Sequence, residues 1–232
     1  MPIPAALRPF VRTAWLPTVA ADDGPPTATK LGGTAWIPAG EAWPTCPNCG
    51  KPLQLLLQLH TADLPEPVHG AYGEGLIQLF YCTSQEPLCE VDCEAFFPFS
   101  ESVVARLVRP AGDGAEVAPD LADPFPPRRV TGWEPVDDVP VAEDVPDVDL
   151  PDADWDVVYE TDLVERDKLA GWPVWIQGPE RPTCPRCGAT MDLVFQIVSD
   201  DTLPIVFGDM GTGHLTQCPE HKDVLAFGWA CT

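Results

Sequence analysis

The sequence predicts a β-rich α+β fold, an internally duplicated unit whose two pseudo-equivalent halves each carry a cysteine knuckle. Three observations lead there. A gapless repeat joins two distant stretches, apolar residues alternate with period two after each Cys-x-x-Cys pair, and 29 prolines are spread through 232 residues.

The repeat aligns residues 30–59 with 168–197 at a constant offset of 138. Twelve of these thirty positions are identical: the Lys-Leu pairs, Gly33/Gly171, Gly40/Gly178, Pro44/Pro182, Thr45/Thr183, Cys46/Cys184, Pro47/Pro185, Cys49/Cys187, Gly50/Gly188, Leu55/Leu193 and Gln58/Gln196. Self-similarity at a fixed period marks a duplicated architecture. Farther on, "DLP" at 63–65 matches "TLP" at 202–204, Gly73-Glu74-Gly75 matches Gly211-Thr212-Gly213, and Cys82 matches Cys218.

Strands are expected directly after the knuckles. Leu53, Leu55, Leu57 and Leu59 alternate with Gln54, Leu56 and Gln58, and Met191, Leu193, Phe195 and Ile197 alternate likewise. Period two places the first set on one face, the core face of a strand. "GLIQLFYC" and "DVLAFGWAC" read as further strands, and residues 100–108 as a short helix or a strand. Prolines remove backbone donors and so oppose long helices.

The expected organisation is a first repeat over 1–110, a connecting segment over 111–167 and a second repeat over 168–232. Residues 111–167 hold 18 acidic against three basic residues, about two thirds of the net charge of −23. Such a segment buries little apolar surface and is expected to be a solvated connector at least in part. Trp133, Trp155, Val157 and Tyr159 suggest that pieces of it dock on the repeats.

Charge and hydropathy exclude some functions. Nucleic-acid binding needs Lys and Arg to neutralise phosphates, and this chain is strongly acidic. No apolar run has the length of a membrane span. The N-terminus lacks a basic start followed by an apolar stretch, so a cytoplasmic protein without a signal peptide is expected. An acidic surface attracts basic proteins or peptides.

Nine cysteines, an odd number, fit a metal-binding pattern in a reducing compartment better than a closed disulfide framework. In Cys-Pro-x-Cys-Gly the glycine permits the left-handed turn that aims two thiolates at one ion. Structural zinc takes four tetrahedral ligands. The second half offers Cys184, Cys187, Cys218 and His221. The first offers Cys46, Cys49 and Cys82, with Cys89 or Cys93 as the fourth; Cys89, nearer in sequence to Cys82, is preferred. The expected cofactor is Zn2+ at two structural sites, a zinc knuckle in each half. Histidine in the second set favours zinc over iron. Cys93 and Cys231 then read as ordinary buried thiols.

Chemistry finds less support. A redox Cys-x-x-Cys would sit at a strand-to-helix junction, whereas here a strand follows. Catalytic zinc keeps an open position, which four protein ligands deny it. Asp209 in "FGDMGTGH" reads as a turn residue, and His214 as a histidine with satisfied hydrogen bonds. His60 and His69 have no partner pattern. No catalytic residues are assigned.

Taken together, "KLGGTAWIP", "LLLQL", "KLAGWPVWIQG", "FQI" and "FGDMGTGHL" resemble the YwqG-like family of bacterial proteins of unknown function. That resemblance, over most of the chain, implies a duplicated β-rich α+β fold and a cytoplasmic bacterial protein. The knuckle between "LGG" and "LLLQL", followed by "LFYC", is similar to the programmed-cell-death protein 2 family, most clearly over 30–93. This second resemblance implies a zinc-dependent binding protein, since those relatives are dedicated chaperones of a small-subunit ribosomal protein. The acidic segment and the C-terminal "QCPEHKDVLAFGWAC" depart from that pattern, so the client is not carried over. The function expected is a non-enzymatic, zinc-stabilised protein-binding module for a basic partner. The alternatives are an immunity-type inhibitor of a basic toxin and a zinc-dependent hydrolase.

Overall fold

A computed structural model describes residues 3–111, 115–117, 120–121, 123–161 and 163–232. The strands are β1 (Arg12–Ala20), β2 (Lys30–Leu31), β3 (Ala35–Ile37), β4 (Gln54–His60), β5 (Leu76–Tyr81), β6 (Val103–Val108), β7 (Ala115–Val117), β8 (Arg128–Asp138), β9 (Lys168–Ala170), β10 (Asp192–Val198), β11 (Thr212–Gln217) and β12 (Leu225–Ala230). Two α-helices, α1 (Cys89–Asp92) and α2 (Asp152–Thr161), complete a β-rich chain with few helices. No helix among the described residues is long and apolar enough to cross a membrane.

Ten strands form one antiparallel sheet in the order β12-β11-β10-β9-β1-β8-β2-β4-β5-β6, and β3 pairs with β7 separately. The end strands β6 and β12 approach each other, so the sheet is nearly closed. Within residues 100–108, Val103–Val108 form strand β6, and the stretches at 76–81 and 225–230 are strands as their patterns predict.

The order is symmetric about β1 and β8. β1 precedes β2 in the chain yet pairs with β9, while β8 precedes β9 yet pairs with β2. β1 therefore lies next to the C-terminal strands and β8 next to the N-terminal ones. Across the centre, Trp15 stands opposite Pro135 and Pro17 opposite Trp133. Proline is tolerated in a strand where no neighbour needs its missing N–H. The short β9 meets β1 only at Ala14 and Trp15, and β2 meets β8 only at Arg128 and Arg129, so both prolines face no further ladder.

The span 111–167 thus supplies the longest strand of the sheet, β8, besides its connecting stretches. Its residues 112–114, 118–119, 122 and 162 lie outside the described ones. Helix α2 docks as its aromatics suggest: Trp155 and Val158 pack with Leu7, Val139 and Val145.

The strict alternation expected along the two strands after the knuckles is corrected by a bulge in each. The β4–β5 register slips between Leu55 and Leu57, and the β10–β11 register between Leu193 and Phe195. A bulge sets two residues against one and flips the faces beyond it. Leu53 and Leu55 therefore face the first cysteine cluster, while Leu56, Leu57 and Leu59 join the main core. Likewise Met191 packs with Cys184 and Cys218, but Val194, Phe195 and Ile197 enter the main core. That core draws on both halves. Tyr81 lies edge-on to Phe207 and Phe227, and Trp229 Nε1 donates to its hydroxyl at 3.0 Å.

The candidate metal centres

Each knuckle is a tight turn closed by the same hydrogen bonds. Cys46 N donates to Lys51 O at 2.9 Å, Gly50 N to Cys46 O at 2.8 Å and Leu53 N to Pro44 O at 2.9 Å. Their counterparts are Cys184 N to Ala189 O at 2.8 Å, Gly188 N to Cys184 O at 2.8 Å and Met191 N to Pro182 O at 2.9 Å. Gly50 and Gly188 hold φ of 70° and 75°, the left-handed region that the turn requires and that side chains disfavour.

The remaining donors come from the neighbouring hairpins. Cys82 follows β5 and Cys89 opens α1; Cys218 follows β11 and His221 lies in the next turn. The structure gathers Cys46, Cys49, Cys82 and Cys89 into one set and Cys184, Cys187, Cys218 and His221 into another, with ligand atoms within 4.8 Å of one another. Both sets could hold a metal ion. Cys93 and Cys231 stand outside them and are half-buried.

The spacings discriminate between chemistries. Cys46 Sγ to Cys89 Sγ is 3.8 Å, and the Cys49–Cys82 and Cys187–Cys218 sulfur pairs are 3.7 Å apart. His221 Nδ1 lies 3.8 Å from Cys184 Sγ and 3.7 Å from Cys218 Sγ. A disulfide needs about 2.05 Å, whereas a tetrahedron with metal–sulfur bonds of about 2.3 Å has edges of about 3.8 Å. All nine cysteines are free thiols. The donor sets fit a shared ion.

Local hydrogen bonds favour thiolate at selected positions. Arg186 N and His221 N donate to Cys184 Sγ and Cys218 Sγ at 3.4 and 3.3 Å, and Asn48 Nδ2 donates to Cys89 Sγ at 3.3 Å. Burial opposes the Cys184 thiolate, but the amides of Arg186 and Cys187 and the neighbouring sulfurs outweigh it, bringing the thiol down to about 6. Burial likewise opposes the Cys49 thiolate, yet the Lys51 amide and nearby sulfurs hold this thiol at about 7. Burial pushes Cys82 upward.

Behind each knuckle lies a polar frame that the repeat contains. Gln58 Oε1 accepts from Trp36 N at 3.0 Å while its amide donates to Pro26 O and Ala28 O. Gln196 Oε1 accepts from Val174 N at 2.8 Å while its amide donates to Val164 O and Arg166 O, every partner displaced by the same 138 positions. Lys30 pairs with Asp23 at 3.2 Å and Lys168 with Asp138 at 2.8 Å. The Gln and Lys identities were visible in the sequence; their acidic partners were not, because Asp23 and Asp138 lie outside the aligned stretch.

Asp209 sits on an exposed turn. His214 is buried in β11, and burial holds its imidazole neutral, down to about 3. Its ring bonds the Val174 backbone, yet Nε2 has no partner among the described residues, which corrects the expectation of a fully satisfied histidine. His60 Nδ1 and Asp63 Oδ2 meet at 2.9 Å on the surface, and His60 and His69 line an open cleft of about 560 Å³.

The arrangement defines a β-rich protein with two cysteine-rich tetrads suited to metal. The chain belongs to the family described as a domain of unknown function, DUF1963, whose profile matches residues 29–221. That match spans all eight tetrad residues, from Cys46 to His221. A comparison with curated proteins found no match.

Proposed function

We propose that the chain is a non-enzymatic binding protein, chaperone- or adaptor-like, in which two structural Zn2+ ions brace a surface for a basic protein partner. The observation that carries this reading is the completeness of both tetrads. Four thiolate or imidazole donors close a tetrahedral shell, so an ion held there has no vacancy for water or substrate. The histidine in the second set favours zinc over an iron–sulfur centre. Cys46, Cys49, Cys82 and Cys89 would hold one ion, and Cys184, Cys187, Cys218 and His221 the other.

The distribution of charge supports the partner. On α2, Asp152, Asp154, Asp156 and Glu160 face solvent, while Trp155 and Val158 anchor the helix. An acidic face anchored this way raises the local concentration of basic partners. The finer likeness to the zinc knuckles of the programmed-cell-death protein 2 family agrees with a binding role, and that to the YwqG-like family with the fold. Nine free thiols agree with a cytoplasmic location. We read the two halves as a duplication, on the strength of the shared offset in knuckles and glutamine frames.

The test is affinity capture from the native cell at low and high salt, with metal measured on the same sample. Two zinc ions per chain and a basic protein released by salt are expected. A folded protein free of transition metal, or no captured protein at any salt, refutes the reading.

A further inference from the structure

The two halves differ at one point in an otherwise shared frame. In the first, Gln78 stands opposite Gln58 on β5 and donates to Trp36 O at 2.7 Å. Its Oε1 accepts from Arg106 Nε at 2.9 Å, and the Arg106 guanidinium also pairs with Glu41. Arg106 is an internal cation between an amide oxygen and a carboxylate, with the Phe80 ring 5.4 Å away.

In the second half, His214 takes the place of Gln78, opposite Gln196, and its ring bonds the Val174 backbone as Gln78 bonds Trp36. Nε2 then corresponds to the Gln78 oxygen, a buried acceptor, but it has no donor. The residue opposite His214 on β12 is Gly228, where the first half has Arg106. Phe96 and Pro98 cross directly over Gly228 and leave no room for a side chain there. A carboxylate remains: Glu180, one position beyond the counterpart of Glu41, lines both a void of about 10 Å³ beside His214 and a cleft of about 310 Å³ with Phe96, Phe97, Gln177, Trp229 and Cys231. Glu180, exposed on the rim, has no ion-pair partner among the described residues, and partial desolvation raises its pKa.

We propose that this cleft receives the guanidinium of an arginine side chain on the basic partner, stacked on the exposed Phe97 ring beside the buried Trp229 and paired with Glu180. The inference rests on the reading of a basic partner given above. Aromatic faces and a carboxylate are the two surfaces a guanidinium satisfies together. The small void beside His214 has room for about one water next to its unpartnered Nε2.

The probe is a capped pentapeptide with one central arginine among glycines, titrated into the full-length protein and read at the Trp229 indole N–H by NMR. The arginine peptide is expected to move that signal, and the citrulline peptide, equal in shape but neutral, to leave it in place. Glu180→Gln should weaken binding about tenfold, the scale of a charge-assisted hydrogen bond. Both Phe97 and Glu180 are exposed, so Phe97→Ala and Glu180→Gln leave the fold intact. Equal responses to arginine and citrulline, no response, or full affinity in Glu180→Gln would each overturn the cleft. Capture separates the two ideas: a basic protein retained equally by wild type and Glu180→Gln removes the cleft and spares the binding role. Capture of no basic protein removes that role, and with it the partner this inference needs.

Discussion

Asp138 and Lys168 are both 0% exposed, and the 2.8 Å contact between them is the most deeply buried ion pair described. Asp138 Oδ2 also accepts from Trp172 N at 2.7 Å, so one carboxylate satisfies a charge and a backbone donor. Asp138→Asn retains an oxygen for Trp172 but leaves the ammonium without a counter-charge in the core. Breaking a buried pair from one side costs about 3–5 kcal/mol, a large share of a typical net stability of about 5–15 kcal/mol. Asp23, the counterpart partner of Lys30, is 31% exposed although Lys30 itself is 0% exposed, so water reaches the carboxylate side of that pair and Asp23→Asn should cost less than Asp138→Asn. Lys168→Met should fall between them. It leaves Asp138 able to take a proton, and burial already raises the pKa of that carboxylate. Urea unfolding at neutral pH reads the order directly. With a slope of about 3 kcal/mol per molar, Asp138→Asn lowers the midpoint by about 1 M or more. Equal costs for Asp138→Asn and Asp23→Asn would refute the claim that burial of the pair, rather than its presence, sets the energy.

Gly171 holds φ of 76°, and a Cβ there would lie 2.3 Å from Asp138 Oδ2; at Gly188, φ 75°, a Cβ meets open space. Gly188→Ala should cost about 1–2 kcal/mol for the backbone alone, and Gly171→Ala clearly more, as thermal melts will show. Burial raises Asp167 to about 6, against hydrogen bonds from Val198 N and Thr202 N. A folded pKa raised above the unfolded one adds stability at low pH that is lost as pH climbs from about 4 through about 6. Asp167→Asn should reduce that slope, so the wild type loses more midpoint than the variant across this window. Cys89→Ser should cost one equivalent of bound metal and Cys93→Ser none, measured by elemental analysis of the purified protein. Equal loss from both would refute the choice of Cys89.

The knuckles and four of the outer strands were legible because each is local, turn residues at fixed spacing and a short apolar alternation, whereas the choice between Cys89 and Cys93 needed the fold. The centre of the sheet was harder to read. β8 lies in the most acidic part of the chain, and its outward Glu134 and Asp137 give it the composition of a linker. Its main partner β1 is more than a hundred residues away, so no local pattern announces the pairing. One signal was available: Thr13-Ala14-Trp15-Leu16-Pro17 and Thr131-Gly132-Trp133-Glu134-Pro135 share Thr-x-Trp-x-Pro at an offset of 118, shorter than the 138 of the knuckle repeat. The change of offset hid it from a gapless alignment. The bulges at Leu56 and Val194 were hidden for another reason. Leucine and valine suit either face of a strand, and only the slip in pairing shows which face they take.

The order of strands at the centre of the sheet bears on what an ion in each tetrad could do. Because β1 pairs with β9 and β8 with β2, neither half completes its sheet from its own chain segment. The shared core, with Tyr81 of one half against Phe207 and Phe227 of the other, binds them further. The cysteine tetrads lie outside this core, in two satellite clusters on the far side of the bulges. An ion in the first tetrad therefore acts chiefly on what Cys89 holds, namely the chain that leads from α1 to Phe96. At Phe96 that chain crosses to the second half, where its carbonyl accepts from Trp229 N at 3.1 Å and its ring meets Trp229 edge-on at 5.8 Å. An ion in the first tetrad would thus fix one wall of the cleft beside Glu180, and one in the second, through the turn at Pro182 and Cys184, would fix the other.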